Sequence, residues 1–94
     1  MELNDVFDKI CDDYNKMKSI NFDINEKDNT INIYCVRAYG NTQNATGKQI
    51  DYIKSFDNVE WKSTSNLMKA NKWCASAIIS IAKQFEDINF KVII

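Results

Sequence analysis

Residues 20–39 read INFDINEKDNTINIYCVRAY, and they set the architecture of the whole chain. Apolar side chains alternate with polar ones over residues 20–24 and again over residues 31–39. Strict alternation is typical of a strand with one buried face, and the polar residues 26–30 are typical of a turn. The pattern therefore predicts a β-hairpin.

The segments on either side of the hairpin show helical spacing. Residues 3–18 carry apolar side chains at steps of three and four, which predicts an amphipathic helix with one buried stripe. Thr46 is followed three residues later by Gln49, the spacing of a capping box, so a short helix is expected to begin there. Asn71 is a suitable N-cap for a longer helix that ends near Phe85.

The end of the chain completes the predicted sheet. Apolar residues alternate over residues 88–94, which predicts a third strand beside the hairpin. Residues 57–63 are interpreted as irregular, and residues 64–70 fit one helical turn. The expected fold is α+β, with the order α-β-β-α-α-β and helices packed on a three-stranded, mainly antiparallel sheet in two layers. A chain of 94 residues forms a single domain over residues 1–94.

The composition excludes several classes of site. The chain contains no histidine, which removes the commonest general base and the usual nitrogen ligand of zinc. Two glycines are too few for a phosphate-cradling glycine loop. Cys11, Cys35 and Cys74 include no Cys-x-x-Cys pair, so we expect buried free thiols and no metal site. We therefore expect a protein that is not an enzyme and needs no metal or cofactor.

The sequence also predicts a compartment. The first five residues lack the basic and apolar regions of an export signal, and the longest apolar runs are only a few residues long. We therefore expect a protein of the host cell cytosol, in the cytoplasm, with no membrane contact.

The net charge of −1 conceals a segregated chain, because residues 1–28 carry a net charge of −4 and residues 29–85 a net charge of +4. On the predicted first helix, aspartates fall on the side opposite to the apolar stripe. This acidic face consists of Asp5, Asp8 and Asp12, with Asp13 near its edge. One interpretation is a mimic of nucleic-acid phosphates that binds a basic partner, and the other is an ordinary solvated helix face.

The window from Trp61 to Lys83 contains lysines and no acidic residue. Trp73 falls off the apolar stripe of the predicted last helix, and an aromatic ring beside cations can stack on a base while the cations hold phosphates. The candidate nucleic-acid-binding residues are Lys62, Lys69, Lys72, Trp73 and Lys83. In the alternative interpretation, Trp73 and Trp61 cover the preceding short helix as part of the core.

A third candidate surface lies on the hairpin. If the apolar residues of its second strand face the helices, Tyr34 faces outward, and with Arg37 it offers a shallow patch to a protein partner. A covering strand or a second copy of the chain is the alternative occupant.

Two segments of the chain resemble a known module. They read Ala45-Thr46-Gly47-Lys48-Gln49-Ile50-x-Tyr52-Ile53 and Asn71-Lys72-Trp73-Cys74-Ala75-Ser76-x-Ile78-Ile79. They are similar to the patterns Ala-Thr-x-Lys-Gln-x-x-Tyr-Ile and Thr-Lys-x-x-Ala-Ser-x-x-Ile of a small helical module in bacteriophage proteins. That module is often appended to exonucleases and is described as similar to SAP-type DNA-binding helices. The resemblance implies a cap formed by Thr46 and Gln49, and packing positions at Tyr52, Ile53, Ala75 and Ile78.

The resemblance also implies a phage or mobile-element origin, and small phage proteins without catalytic groups are often inhibitors of host machinery. The first hypothesis is a non-enzymatic inhibitor of anti-CRISPR type, which binds a host protein or ribonucleoprotein defence complex through the acidic face or the hairpin. The alternatives are direct binding of DNA or RNA through residues 61–83, and a structural phage protein that assembles with itself. The sequence leaves the oligomeric state open.

Overall fold

A computed structural model describes residues 2–35, 43–63 and 70–94, and within these ranges it contains three helices and four strands. The helices are α1 (Leu3–Tyr14), α2 (Gly47–Lys54) and α3 (Lys72–Gln84). The strands are β1 (Ile20–Asn25), β2 (Thr30–Cys35), β3 (Val59–Lys62) and β4 (Asn89–Ile93).

The four strands form one mixed sheet in the order β1-β2-β4-β3. β1 and β2 are the predicted antiparallel hairpin, whereas β4 runs parallel to both of its neighbours, β2 and β3. The α+β class is confirmed, but the three-stranded, mainly antiparallel sheet is wrong. The missing strand is β3, which has four residues and only two inward apolar side chains, Val59 and Trp61. So short a segment shows too little alternation to be distinguished from a loop.

All three helices pack on the same face of the sheet. The pairing register places Ile20 beside Cys35, Ile33 beside Val92, and Val92 beside Trp61, so these inward side chains form continuous rows across the strands. They join one apolar cluster with residues of every helix. The fully buried members of this core include Val6, Ile10, Ile20, Ile31, Ile33, Ile53, Cys74, Ile81 and Val92. The apolar core therefore lies between the three helices and the sheet.

The first helix is shorter than the sequence predicts. α1 ends at Tyr14 instead of residue 18, and the Met17 amide donates to the Tyr14 carbonyl at 2.9 Å in the turn that follows. Because β1 begins at Ile20, the chain has to change direction within five residues. Met17 still packs against the core, which explains why it continued the apolar spacing.

The prediction of free thiols is wrong for two of the three cysteines. Cys35 ends β2 and Cys74 lies in the first turn of α3, and the two form a disulfide with their Cα atoms 6.5 Å apart. Cys11 is the free cysteine. Spacing along the chain could not reveal this pair, because 39 residues separate its members and only the packing of α3 on the sheet brings them together.

Two predicted features fall outside the described residues. One is the continuation of the second hairpin strand over residues 36–39. The other is the helical turn in residues 64–70, of which only Ala70 is described.

Candidate functional site

Helices α2 and α3 begin side by side. The Ala45 amide donates to the Ala70 carbonyl at 2.7 Å, and the Lys72 amide donates to the Gln43 carbonyl at 2.9 Å. An isolated antiparallel bridge joins Asn44 to Asn71 between these two bonds. The two helices therefore start from a common short ladder and present their positive N-terminal ends at the same edge of the molecule.

Both helix starts are capped as the sequence predicts. The Thr46 hydroxyl accepts from the Gln49 amide at 3.1 Å, and the Gln49 side chain accepts from the Thr46 amide at 3.0 Å, which completes the capping box. The Asn71 side chain accepts from the Trp73 amide at 2.8 Å. Because each cap fixes its first turn, the side chains that follow are held in defined positions.

Trp73 is the most exposed large apolar side chain among the described residues, with 63 % of its surface accessible. The next two residues of the helix, Cys74 and Ala75, are completely buried. The backbone around Trp73 is therefore anchored to the core while its ring projects into solvent. Trp61 differs, because it is half-buried on β3 and packs against the core. The structure therefore places Trp61 against the core and leaves Trp73 exposed.

One exposed stripe of α3 continues from Trp73. Ser76, Ser80 and Lys83 follow it at helical spacing and are exposed. The stripe adjoins α2, because the Gln49 amide group lies 3.5 Å from the Ser76 hydroxyl and the Lys83 ammonium lies 5.2 Å from the centre of the Tyr52 ring. The exposed residues of the two helices thus form one continuous surface.

We call this area the Trp73 surface. Its members are Trp73, Ser76, Ser80 and Lys83 of α3, Lys72 at the start of α3, and Lys48, Gln49 and Tyr52 of α2. Lys48 belongs to it because it lies four residues before Tyr52, on the same side of α2. α3 contains two lysines and no acidic residue, and α2 contains two lysines and one aspartate. The surface is therefore positively charged.

The structure brings together some of the predicted nucleic-acid-binding residues and separates others. Trp73 and Lys83 share the exposed stripe, and Lys72 begins the same helix with its ammonium 3.3 Å from the Gln43 side-chain oxygen. Lys62 lies elsewhere: it alternates with the inward Trp61 on β3 and faces the side of the sheet away from the helices. Lys69 falls outside the described residues.

Tyr52 and Lys48 are members of the surface that the sequence reasoning missed. The resemblance assigned Tyr52 to packing, yet 43 % of its surface is accessible. A signal was present, because the buried residues of α2 are Ile50 and Ile53. Residue 52 lies off the stripe that these two define.

The acidic face lies on α1, as predicted. Asp5, Asp8, Asp12 and Asp13 are all exposed, and within the described ranges none of them forms an ion pair. Cys11 lies beside this face, and partial burial, followed by the charges of Asp8 and Asp12, raises the pKa of its thiol. A raised pKa keeps the thiol protonated and poorly nucleophilic near neutral pH.

The hairpin patch is described in part. Tyr34 of β2 is 39 % exposed and points away from the helices, while Arg37 falls outside the described residues. Beside Tyr34, the side chain of Asn32 is buried, with its amide 3.5 Å from an Asp23 carboxylate oxygen.

The described residues contain neither a metal-binding cluster nor a membrane-spanning helix. No group of three or more cysteine, aspartate or glutamate side chains is placed to hold a metal ion there. None of the helices in that part of the chain is both long and apolar enough to cross a bilayer.

Comparison of the chain with protein-family models, with curated proteins and with solved structures finds no match.

Proposed function

We propose that this protein is a non-enzymatic nucleic-acid-binding module whose binding site is the Trp73 surface. The observation that carries the proposal is the exposure of Trp73 on a helix that is otherwise firmly anchored. Burying a tryptophan is favourable, so a ring held out in solvent by a buried backbone is available for contact with a ligand. A base presents a flat aromatic face that suits such a ring.

The charges of the same surface support an anionic ligand. Lys48, Lys72 and Lys83 lie on the same two helices as the two aromatic rings, and the capped starts of α2 and α3 add the positive ends of two helix dipoles. Asp51 is the single acidic residue of these two helices. Lysines of this kind neutralise phosphates, whereas the tryptophan contacts bases.

A salt titration with fluorescent DNA and RNA oligonucleotides tests the proposal. Binding has to weaken as salt increases. The logarithm of the binding constant is expected to fall with the logarithm of the salt concentration, with a slope of about −0.7 for each phosphate contact on a single strand. Replacing two lysines in a Lys72→Gln, Lys83→Gln variant is therefore expected to reduce the slope by about 1.4. The matched control is Lys18→Gln, Lys27→Gln, which removes two exposed lysines outside the Trp73 surface and should leave the slope unchanged.

Trp73→Ala is expected to weaken binding about 5- to 150-fold, the range for loss of one stacking contact. Absence of binding even at low ionic strength contradicts the proposal. Concentration-dependent self-association that Trp73→Ala abolishes, without nucleic-acid binding, would favour the self-assembling structural protein instead.

The acidic face supports a second candidate, the inhibitor of anti-CRISPR type that binds a host nucleic-acid-handling complex. Three carboxylates, Asp5, Asp8 and Asp12, are exposed in a row on α1 and free of ion pairs with described residues. A row of this kind resembles phosphates and suits the basic surface of a protein or ribonucleoprotein partner.

Charge reversal tests this candidate. Replacing Asp5, Asp8 and Asp12 by lysine should abolish inhibition of a defence complex while the circular dichroism spectrum stays the same. The matched control reverses three exposed acids elsewhere, Glu26, Glu86 and Asp87. Full inhibition by the α1 variant contradicts the mimic.

A further inference from the structure

We infer that the ligand of the Trp73 surface is a single strand, held by two aromatic rings, Trp73 and Tyr52, which stack on different bases. This inference rests on the proposed function and names the ligand class and a second binding residue for the same site.

Tyr52 is positioned by its neighbours in a way that suits stacking. Its ring centre lies 5.0 Å from that of Phe56 at an angle of 39°, and the Lys83 ammonium lies 5.2 Å from its centre. A base that stacks on this face of the ring takes the place of the Lys83 ammonium, and 43 % of the residue is accessible. An ordered, partly exposed ring loses little conformational freedom when it binds a base.

The two rings are separated by a distance that a short strand can span. Lys83 follows Trp73 by ten residues, which corresponds to about 15 Å along the helix. Because the Lys83 ammonium lies 5.2 Å from the centre of the Tyr52 ring, Tyr52 lies toward the Lys83 end of this stretch. About four steps of 3.4 Å between stacked nucleotides cover this length.

Small side chains of α3 line the surface between the two rings. The exposed positions of α3 between them are Ser76 and Ser80, whose side chains are small. The Ser80 hydroxyl accepts from the Tyr14 hydroxyl of α1 at 2.8 Å, so the Tyr14 ring borders the path of a strand that runs from one ring to the other. Lysines at both ends of this path, Lys72 and Lys83, are placed for the phosphates of the strand.

A duplex fits this surface less well than a single strand. Bases in a duplex are stacked on one another and present only their edges, so neither ring can stack on them without separating the strands. A duplex would contact the lysines alone. Two stacking rings therefore predict a preference for the single strand.

The test compares a 12-nucleotide oligothymidylate with the same strand annealed to its complement, by fluorescence anisotropy. We expect the single strand to bind at least about tenfold more tightly. Tyr52→Ala should weaken single-strand binding about 5- to 150-fold, the range for one base–aromatic stack. Tyr52→Phe keeps the ring and should bind within about twofold of the unaltered protein.

Tyr34→Ala is the matched control, because Tyr34 is 39 % exposed but lies on the opposite side of the sheet. It should leave binding unchanged. If single strand and duplex bind equally and Tyr52→Ala has no effect while Trp73→Ala still weakens binding, the two-ring inference is overturned and the proposed function stands. If neither oligonucleotide binds at low salt, both fail.

Discussion

Helices α1 and α3 lie on the same face of the sheet, but their exposed sides differ in kind. α1 buries Val6 and Ile10 and exposes aspartates, whereas α3 buries six residues and exposes Trp73. Charged residues on the outer side are what any surface helix needs to remain soluble, so the acidic face of α1 follows from folding alone. An exposed tryptophan on the better-anchored helix has no such explanation. This difference is the reason why we propose the exposed side of α3 as the binding surface.

The largest expected effect on stability comes from truncating a side chain on the buried face of either helix. Ile10 of α1 and Ile81 of α3 are both completely buried, and replacing either by alanine is expected to lower the free energy of unfolding by about 2–5 kcal/mol. We expect Ile81→Ala to fall at the upper end, because α3 buries six residues and α1 buries two. Urea denaturation of both variants measures this. Equal losses would show that the two helices are anchored equally.

The second difference between the helices is the disulfide, which attaches α3 to the sheet. It ties α3 to β2 across 39 residues, and a loop of that length is expected to stabilise the fold by about 4 kcal/mol. A dithiol reductant should lower the free energy of unfolding by about that amount in the unaltered protein and leave a Cys35→Ala, Cys74→Ala variant insensitive. Alkylation without reduction should label one cysteine, Cys11. Labelling of all three would contradict the pairing.

The N-caps of α1 and α3 are expected to differ in stability by a smaller amount. Asn71 caps α3, whereas Glu2 at the start of α1 makes no side-chain cap bond. Asn71→Ala should therefore destabilise the protein by about 1 kcal/mol, and Glu2→Ser should stabilise it by a similar or smaller amount. Thermal unfolding measures both shifts. Opposite signs support the account, and a loss from both substitutions would contradict it.

Sequence reasoning succeeded where a local pattern encodes the structure. The capping box of Thr46 and Gln49, the cap of Asn71 and the alternation of β1 each depend on residues a few positions apart. It failed where distant parts of the chain meet. Cys35 and Cys74 pair through tertiary packing, and β3 gains its place as an edge strand from β4, not from its own four residues.

The residues of the candidate site also divide into those that a local sequence pattern could predict and those that it could not. The position of Trp73 off the buried stripe of its helix could be predicted from periodicity, and its exposure agrees with that position. The exposure of Tyr52 could be predicted in the same way, but its closeness to Lys83 could not, because that depends on how α2 packs against α3. Lys62 was predicted to belong to the site because it lies near the other lysines in the sequence. It faces the side of the sheet away from the helices.

The most direct test of the central claim uses the fluorescence of Trp73 itself. The chain has two tryptophans, so Trp61→Phe leaves Trp73 as the sole reporter. Titration of this variant with a single-stranded oligonucleotide should quench the emission, with a midpoint that moves to higher concentration as salt increases. Emission that stays constant at low ionic strength, in a variant whose unfolding midpoint matches that of the unaltered protein, would contradict the assignment of Trp73 to a binding surface.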